Sequence, residues 1–403
     1  MPTPPSRILL ISGTAPGEPG VGGVILRDLV RIVGPAQMHT CWLNPYRDKQ
    51  PHYLPELSVS HHQRRYETGW KPIGGVGGDL AACAAAVALQ RPLIQQAVRE
   101  IQSQIDQFQP DLILTVLESA MAVQVIAALL PQIKVPLRTI VWDDVHTFCP
   151  AGRLDRWTER QVYDAFRKTL RHSEQIAVIC ENMQVAYQRE YGVDSFVLRH
   201  GLDAATTDAC ERDPNVYRIG FAGSVTTPDC MREFIAALDS MNWRLDGKEI
   251  CLRMLGARFQ LGTLSRQWIE YFGWRDVTET RNLLSECDLL YLPQSFLPDL
   301  RHLSELSFPT KLSTYVAANV PILLHAPDYA SLTEFWSRYD LGPRAELAAA
   351  SVQESLTQGL TASLSDRELW LSNILSARRD ALSPALFEQG VRRLLSSNLE
   401  TGN

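Results

Sequence analysis

Short apolar runs alternate with helical stretches along the first half of the chain. The apolar runs that predict strands are RILLIS (7–12), MHTCWL (38–43), DLILTV (111–116), LRTIVW (137–142), QIAVIC (175–180) and SFVLR (195–199). Helical patterns lie between them, at 91–107, 119–130 and 155–171. Because these runs are apolar without strict alternation and are joined by helices, they predict a parallel sheet covered on both faces.

The second half repeats this plan after a polar, turn-rich stretch at 201–216. Its predicted strands are YRIGFAG (217–223), EICLRML (249–255), WIEYFG (268–273), CDLLYLP (287–293) and PILLH (321–325). The pattern therefore predicts an α/β fold of two Rossmann-like domains, with parallel sheets that face each other across a cleft. In such sheets ligands bind at the carboxyl ends of the strands, so we expect functional residues directly after these runs.

Composition and charge narrow the classes of function. The chain has 403 residues, which favours two domains, and its 45 % hydrophobic and 21 % charged residues are ordinary for a globular protein. A formal net charge of −6 argues against a general nucleic-acid binder. The eight cysteines are scattered singly, without a CxxC pair, and so predict neither disulfides nor a zinc site. The N-terminus lacks the pattern of a signal peptide, and the apolar stretch 81–89 is too short to span a bilayer, so we expect a cytoplasmic protein without a transmembrane segment.

Two loops at predicted strand ends carry candidate chemistry in the first half. The glycine-rich loop SGTAPGEPGVGG (12–23) brings Gly22 and Gly23 to a helix start, where backbone can approach a ligand; a flexible surface loop is the alternative. Asp143, Asp144 and His146 follow the strand that ends at 142, where they could bind a ligand or move a proton. The alternative is that an aspartate caps the next turn.

Two further stretches stand out in the second half. Trp274 and Arg275 follow a strand and precede a helix expected at 278–286; the tryptophan could stack on a nucleobase or fill the core. Lys311 lies in a helix for which we expect Ser307 as N-cap and Pro309 in the first turn. A cation is disfavoured at this end of a helix. A bound phosphate would explain it, but a solvated lysine or one paired with Glu305 are alternatives.

The order of these pieces resembles the retaining glycosyltransferases of family 4, which have the GT-B architecture. The likeness covers nearly the whole chain and is best in the second half. It rests on CENMQVAYQREYGVDSFVLRHGLD (180–203), IGFAGSVTTPDCMREFIAAL (219–238), YFGWRDVTETRNLLSECDLLYLPQSF (271–296) and FPTKLSTYVAANVPILL (308–324).

The resemblance implies transfer of a sugar from a nucleoside diphosphate sugar with retained configuration, without a metal or other cofactor. The implied catalytic residues are Asp144 and His146. Those implied for the donor diphosphate and nucleotide are Gly22, Gly23, Gly223, Ser224, Trp274, Arg275, Lys311 and Thr314, and those for the donor sugar are Glu305 and Ser307. The acceptor is an unidentified sugar, lipid-linked or other molecule, and peripheral membrane contact is compatible with it.

The chain departs from the family pattern at several positions. Thr314 replaces the glutamate thought to hold the ribose, and Leu306 replaces the partner acid, with Glu305 adjacent. The basic pair after the strand that opens the nucleotide domain is missing, since SVTTPD follows Gly223; Arg258 or Arg275 would have to substitute. A catalytically silent binding or scaffold protein and a nucleotide-sugar epimerase therefore stay open as alternatives, and a dinucleotide-dependent oxidoreductase is the weakest.

The domain boundaries follow from the same reading. We expect an N-terminal acceptor domain at 1–203, a linker at 204–216 and a C-terminal donor domain at 217–380. A C-terminal helix and tail at 381–403 would pack back on the first domain. We place acceptor contacts in 44–78, and we expect alanine at Asp144 or His146 to leave the fold intact.

Overall fold

The computed structural model describes residues 7–17, 20–44, 54, 56–61, 74–203, 213–256 and 266–396. The chain divides into two compact units, residues 1–198 with 388–403 and residues 199–387. The first unit ends before the predicted boundary at 203, and most of the predicted linker 204–216 lies outside the described residues, as do Arg258 and most of 44–73.

The first unit contains a seven-stranded sheet in the order β3-β2-β1-β4-β5-β6-β7, with every neighbouring pair parallel. Its strands are β1 (Ile8–Ser12), β2 (Met38–Trp42), β3 (Ser58–His61), β4 (Leu112–Leu117), β5 (Leu137–Val141), β6 (Gln175–Val178) and β7 (Phe196–Val197). Its helices are α1 (Val21–Val33), α2 (Gly75–Ala85), α3 (Arg91–Phe108), α4 (Ala120–Leu129), α5 (Val145–Ala151), α6 (Arg156–His172) and α7 (Glu181–Tyr191). The chain order reverses between β1 and β4, which makes their carboxyl ends the expected ligand position.

The second unit repeats this order as β11-β10-β8-β12-β13-β14, with β9 antiparallel to β10 at its start. Its strands are β8 (Val216–Ala222), β9 (Arg244–Leu245), β10 (Lys248–Leu255), β11 (Ile269–Gly273), β12 (Leu289–Pro293), β13 (Ile322–His325) and β14 (Arg344–Ala345). Its helices are α8 (Pro228–Ser240), α9 (Val277–Ser285), α10 (Arg301–Leu306), α11 (Lys311–Ala318), α12 (Ser331–Tyr339), α13 (Ala349–Leu360) and α14 (Leu364–Ala381). The reversal here lies between β8 and β12.

The last helix, α15 (Pro384–Leu395), belongs to the first unit from Glu388 onward. Arg393 stacks over the ring of Phe196 at 4.3 Å, and the carbonyl of Ser396 accepts a hydrogen bond from the buried Arg138 at 3.1 Å. These contacts fasten the end of α15 to the first unit.

The α/β class and both parallel sheets are confirmed, and each predicted apolar run contains a strand. Three strands were not predicted: β3, β9 and β14. β3 is SVSH and the other two have only two residues each, so none of them shows an apolar run. They form because a neighbouring strand offers free backbone groups, which sequence periodicity does not register.

Candidate functional site

A tyrosine hydroxyl lies where β8 and β12 part in the second unit. The two strands pair only as far as Gly220 and Leu290. Beyond that pair, the hydroxyl of Tyr315 accepts from the amide of Ala222 at 2.9 Å and donates to the carbonyl of Tyr291 at 3.1 Å. Tyr315 is fully buried on α11, so it holds both strands at the edge of the crevice. The sequence did not identify Tyr315 as a site residue.

Glycines end three adjacent strands at the same edge of the sheet. Gly223, Gly256 and Gly273 have φ angles of 91°, 121° and 67°, in a region that L side chains rarely adopt. The amide of Gly223 donates to Leu255 at 2.7 Å, and that of Gly256 donates to Gly273 at 2.8 Å. A Cβ at Gly256 would lie 2.6 Å from the carbonyl oxygen of Gly223. Backbone therefore packs on backbone at this edge of the sheet.

Lys311 extends over this glycine surface. A Cβ on Gly223 would lie 3.1 Å from Cε of Lys311, so the missing side chain makes room for the lysine stem. The ammonium donates to the carbonyl of Ser224 at 2.8 Å and lies 4.2 Å from the ring centre of Phe221. Within the described residues it meets no carboxylate. Burial lowers the pKa of Lys311 to about 8. The described part of the chain therefore supplies no counter-ion for this half-buried cation.

The N-terminus of α11 differs from the prediction. Ser307 is not its N-cap: the helix begins at Lys311 with Thr310 as N-cap, and Thr310 forms no side-chain capping bond. The carbonyl of Ser307 instead accepts a hydrogen bond from Ser331 on α12. Pro309 precedes the cap, and its carbonyl accepts from the amide of Leu312 at 2.9 Å. A tight turn therefore replaces the expected first helical turn.

The alternative of a lysine paired with Glu305 is wrong. The carboxylate of Glu305 lies 3.4 Å from Arg301 in an i,i+4 pair on α10, while Lys311 bonds Ser224. Thr314 lies one turn after Lys311 on α11 and is half-buried. The structure thus brings Gly223, Ser224 and Lys311 together, with Thr314 one turn away.

Trp274 and Arg275 lie just beyond β11, where they were expected. The tryptophan side chain is 66 % exposed, which excludes the alternative that it fills the core. Arg275 pairs with Glu279 at 2.9 Å on α9, which begins at Val277 and is capped by Asp276. Neither residue bonds Lys311. They form a separate, solvent-facing part of the same sheet edge.

A buried aspartate that the sequence did not single out lies beside β12. Asp229, in the first turn of α8, accepts from the hydroxyl of Ser295 at 2.9 Å and from the amide of Phe296 at 2.7 Å. It therefore ties the helix after β8 to the loop after β12. An acidic residue in a first helical turn was the available signal, but its partner lies 67 residues away.

In the first unit, Asp144 and His146 form a bonded pair after β5. One carboxylate oxygen of Asp144 accepts from the amide of His146 at 2.9 Å and from its Nδ1 at 2.7 Å. The other oxygen accepts from the hydroxyl of Tyr187 at 2.9 Å. Asp144 is buried and is also the N-cap of α5. Its carboxylate therefore caps the helix, as the alternative expected, and also pairs with the ring of His146.

These bonds shift both pKa values in the first unit. Burial alone would raise the pKa of Asp144, but the hydrogen bonds from His146 and Tyr187 outweigh it and lower that pKa. The bond to Asp144 raises the pKa of His146 in spite of burial. The ring of His146, whose side chain is 27 % exposed, also packs on that of Tyr163 at 4.9 Å. The pair therefore favours a protonated, oriented imidazole.

The glycine-rich loop of the first unit leads into a helix start at Gly22 and Gly23, as expected. α1 begins at Val21, so Gly22 and Gly23 lie inside its first turn. A Cβ on Gly22 would lie 2.8 Å from the ring of Trp142, two residues before Asp144. Gly23 is buried, and its carbonyl accepts from the amide of Gly17 at 2.8 Å. Gly22 thus allows α1 to pack on the strand end that carries the Asp144–His146 pair.

The start of this glycine-rich loop binds the carboxylate of a residue from the same unit, Glu118. The amides of Gly13 and Thr14 donate to one carboxylate oxygen of Glu118 at 2.7 and 2.9 Å, and the Thr14 hydroxyl donates to the other at 2.8 Å. Glu118 follows β4, so the carboxylate joins the two central strand ends. These two amides are occupied by Glu118, which the sequence did not identify.

The part of the chain that the structure describes contains no cluster of three metal-ligating side chains, and none of its helices has the length and apolar character needed to cross a bilayer.

The same fold occurs in solved glycosyltransferase structures. A sucrose-phosphate synthase from Thermosynechococcus elongatus is 12 % identical over 96 % of this chain and 98 % of its own, with a TM-score of 0.64. The Anabaena protein HepE, solved with UDP and glucose, is 14 % identical over 97 % and 100 %, also with a TM-score of 0.64. An α,α-trehalose 6-phosphate synthase from Burkholderia multivorans is 12 % identical over 96 % of both chains, with a TM-score of 0.63.

The fold is the GT-B fold. No protein-family model matches the chain, and no curated protein matches it in sequence. At these identities the likeness to the solved structures concerns architecture alone, so the chemistry has to be argued from the residues described above.

Proposed function

We propose that this protein is a retaining, metal-independent glycosyltransferase of the family 4 type. It would take a nucleoside diphosphate sugar as donor and transfer the sugar to an acceptor in polysaccharide or glycoconjugate synthesis. The second unit would bind the donor and the first unit the acceptor. The observation that carries the proposal is Lys311, a half-buried cation that lies over a glycine surface and has no counter-ion among the described residues.

A diphosphate fits the surroundings of Lys311. Burial disfavours an uncompensated charge, and a dianionic group beside the ammonium would relieve that cost. Gly223 makes room for the stem of Lys311, and α11 begins at Lys311, so its first amides add a favourable dipole. Departure of a diphosphate concentrates negative charge on it, and an ammonium fixed at that position stabilises the charge without a metal.

The Asp144–His146 pair supplies the matching feature on the acceptor side. Asp144 orients the imidazole and favours its protonated form, so His146 is suited to donate a hydrogen bond to a sugar hydroxyl. Similarity to a structure solved with UDP and glucose is consistent with a nucleotide-sugar donor. Because Thr314 stands where the family has an acidic residue, other residues would have to bind the ribose of the donor.

A thermal-shift series with UDP, GDP, ADP and dTDP tests donor binding. A ligand that binds only the folded state raises the melting temperature in a concentration-dependent way. We expect one nucleotide to stabilise the parent, and Lys311→Ala to lose most of that shift. Absence of a shift with all four at millimolar concentration would favour the silent scaffold instead.

Product analysis separates transfer from epimerisation. With the preferred donor and an acceptor library, a transferase forms a new glycoside of retained configuration. An epimerase converts the donor without any acceptor, so donor conversion in the absence of acceptor would overturn the proposed reaction while leaving nucleotide binding intact.

A further inference from the structure

One exposed side of α6 carries a row of cations. The row consists of Arg156, Arg160, Arg167, Lys168 and Arg171, all exposed. Arg156, Arg160, Arg167 and Arg171 are spaced at i, i+4, i+11 and i+15, so they share one side of the helix. Like charges at such spacings repel each other. This row exists in a chain whose formal net charge is −6.

None of these five cations forms an ion pair with any carboxylate in the described part of the chain. The guanidinium of Arg156 stacks on Trp157 at 4.3 Å, and Arg171 donates to the carbonyl of Tyr191 at 3.1 Å. Asp164 is the exposed acid on that side of α6. Elsewhere the chain pairs its helical arginines at i,i+4, as in Arg392 with Glu388. The row is therefore suited to an anionic partner outside the chain.

The exposed side of the neighbouring helix α2 carries only apolar side chains and glycines. Its buried side includes Gly78 and Ala82, while Val76 and Leu80 on the other side are 59 % and 57 % exposed. The stripe continues into the π-helical turn that follows, where Val87 is 47 % exposed. Between residues 74 and 90 the chain's one charged residue, Asp79, is buried. An apolar side of a surface helix normally packs against a partner.

The two helices are neighbours, since α2 packs against α6 within the first unit. Trp157, at the start of α6, is 36 % exposed beside them. Exposed aliphatic residues, arginines and a tryptophan together are the composition of protein surfaces that lie in the interface of an anionic bilayer.

We propose that the first unit docks on an anionic lipid bilayer through α2 and the basic side of α6. The arginines would bind lipid phosphates, and Val76, Leu80 and Val87 would enter the boundary of the acyl region. A polyanion such as nucleic acid would use the arginines but not the aliphatic stripe. A second copy docked by a two-fold axis would bring the two basic rows together, which their repulsion opposes.

The docking surface is connected to the candidate acceptor site by α6 itself. Tyr163 of α6 packs on the ring of His146. Docking would therefore bring the acceptor site close to the membrane, which fits a lipid-linked acceptor. This last step rests on the proposed function, whereas the docking itself does not.

Sedimentation of the full chain with vesicles tests the docking. We expect binding to phosphatidylcholine vesicles that contain phosphatidylglycerol, little binding to pure phosphatidylcholine, and release at about 0.5 M salt, where charges are strongly screened. The triple variant R156Q/R160Q/R167Q should lower the partition coefficient at least about tenfold. The matched control R31Q/R232Q/R379Q changes three exposed arginines on other helices and should bind like the parent. Equal binding by the two triple variants would overturn the proposal.

A second pair of substitutions tests the apolar stripe. L80S/V87S alters exposed side chains, so circular dichroism should be unchanged while vesicle binding falls several-fold. If vesicle binding is unaffected and the parent binds single-stranded DNA as tightly, the surface is a polyanion site and the bilayer proposal is wrong. If light scattering shows a dimer that L80S/V87S dissociates, the stripe is covered by a second copy, and the proposal is also wrong.

Discussion

Lys311 extends from the first turn of α11 and donates a 2.8 Å hydrogen bond to the carbonyl of Ser224, and its side-chain stem passes beside Gly223. The chain thus commits a glycine with a φ angle of 91° to make room for a lysine stem. Such an arrangement presents the ammonium at a strand end, where a ligand of the fold is expected. Its lowered pKa, and the lack of a carboxylate partner in the part of the chain that the structure describes, make it the most informative residue to change.

Lys311→Ala should weaken nucleotide binding by roughly 1.5–3 kcal/mol, the range for a hydrogen bond to a charged group. It should not destabilise the unliganded protein, because a half-buried cation at a helix N-terminus is removed. Titration calorimetry with the preferred nucleotide and melting curves without it measure the two effects. Lys134→Ala, which removes an exposed cation, is the control. If Lys311→Ala binds the nucleotide as tightly as the parent, Lys311 is a solvated lysine that does not contact the nucleotide.

Nucleotide affinity should depend on the protonation of Lys311. The pKa of about 8 means that the ammonium is lost in the free protein as pH rises through that value, so affinity should fall between pH 7 and 9. Binding curves of parent and Lys311→Ala across this range check it, since the variant should lack this pH dependence. Parallel pH profiles would show that another group titrates.

The stability of the unliganded protein should show the opposite trend. The folded pKa of Lys311, about 8, lies below the ordinary value of 10.5, so the unfolded chain binds more protons between these pH values. The free energy of unfolding of the parent relative to Lys311→Ala should therefore rise as pH increases from about 8 to about 10.5. Urea denaturation at several pH values in that window measures the difference, and a difference that falls with pH would contradict the lowered pKa.

Asp144→Ala should destabilise the fold, contrary to the expectation from sequence. It removes the N-cap of α5 and leaves the buried hydroxyl of Tyr187 without its acceptor, for a loss of roughly 2–4 kcal/mol. His146→Ala should cost less, because the amide of residue 146 still donates to the cap. Denaturant midpoints of both variants give the comparison. Equal stability of Asp144→Ala and parent would show that the carboxylate is not structural.

The contribution of this pair should depend on pH in a defined window. Because folding lowers the pKa of Asp144, its ionised carboxylate stabilises the fold at pH values above the unfolded pKa, which is near 3.8. This stabilisation is lost as the pH falls through the folded pKa. Because folding raises the pKa of His146, its protonated imidazole stabilises the fold at pH values below the unfolded pKa of 6.5. This stabilisation is lost as the pH rises through the folded pKa. The stability gap between parent and Asp144→Asn should be largest between about pH 4 and 6.5, as denaturation in that range would show.

Gly22→Ala should disturb the first unit, because its Cβ would lie 2.8 Å from the ring of Trp142. We expect a loss of about 1–3 kcal/mol from overpacking. Gly77→Ala is the matched control: this helical glycine on α2 has no atom near its Cβ position, and alanine should stabilise the helix by roughly 0.5–1 kcal/mol. Thermal melts of the two variants should therefore shift in opposite directions. A stabilising Gly22→Ala would show that Trp142 moves away at little cost.

The sequence by itself determined the strands that are buried on both faces and the order in which they follow. Runs such as ILLIS in β1 and LLYLP in β12 are mainly apolar and are buried at every position, because both sides of a parallel sheet are covered. It also predicted that the candidate site residues would follow strand ends, because chain direction and crossovers fix which strand ends lie together. Asp144, His146, Gly223 and Trp274 are all found there.

Only the tertiary structure decided what those residues contact. Glu118 meets Gly13 and Thr14 across more than a hundred residues, and Lys311 meets Ser224 across 87. Local periodicity carries no information on such pairs, because they depend on how sheets and helices pack. For the same reason Ser307 seemed a suitable cap by residue type, yet its carbonyl serves α12, and a turn through Pro309 begins the helix later at Lys311.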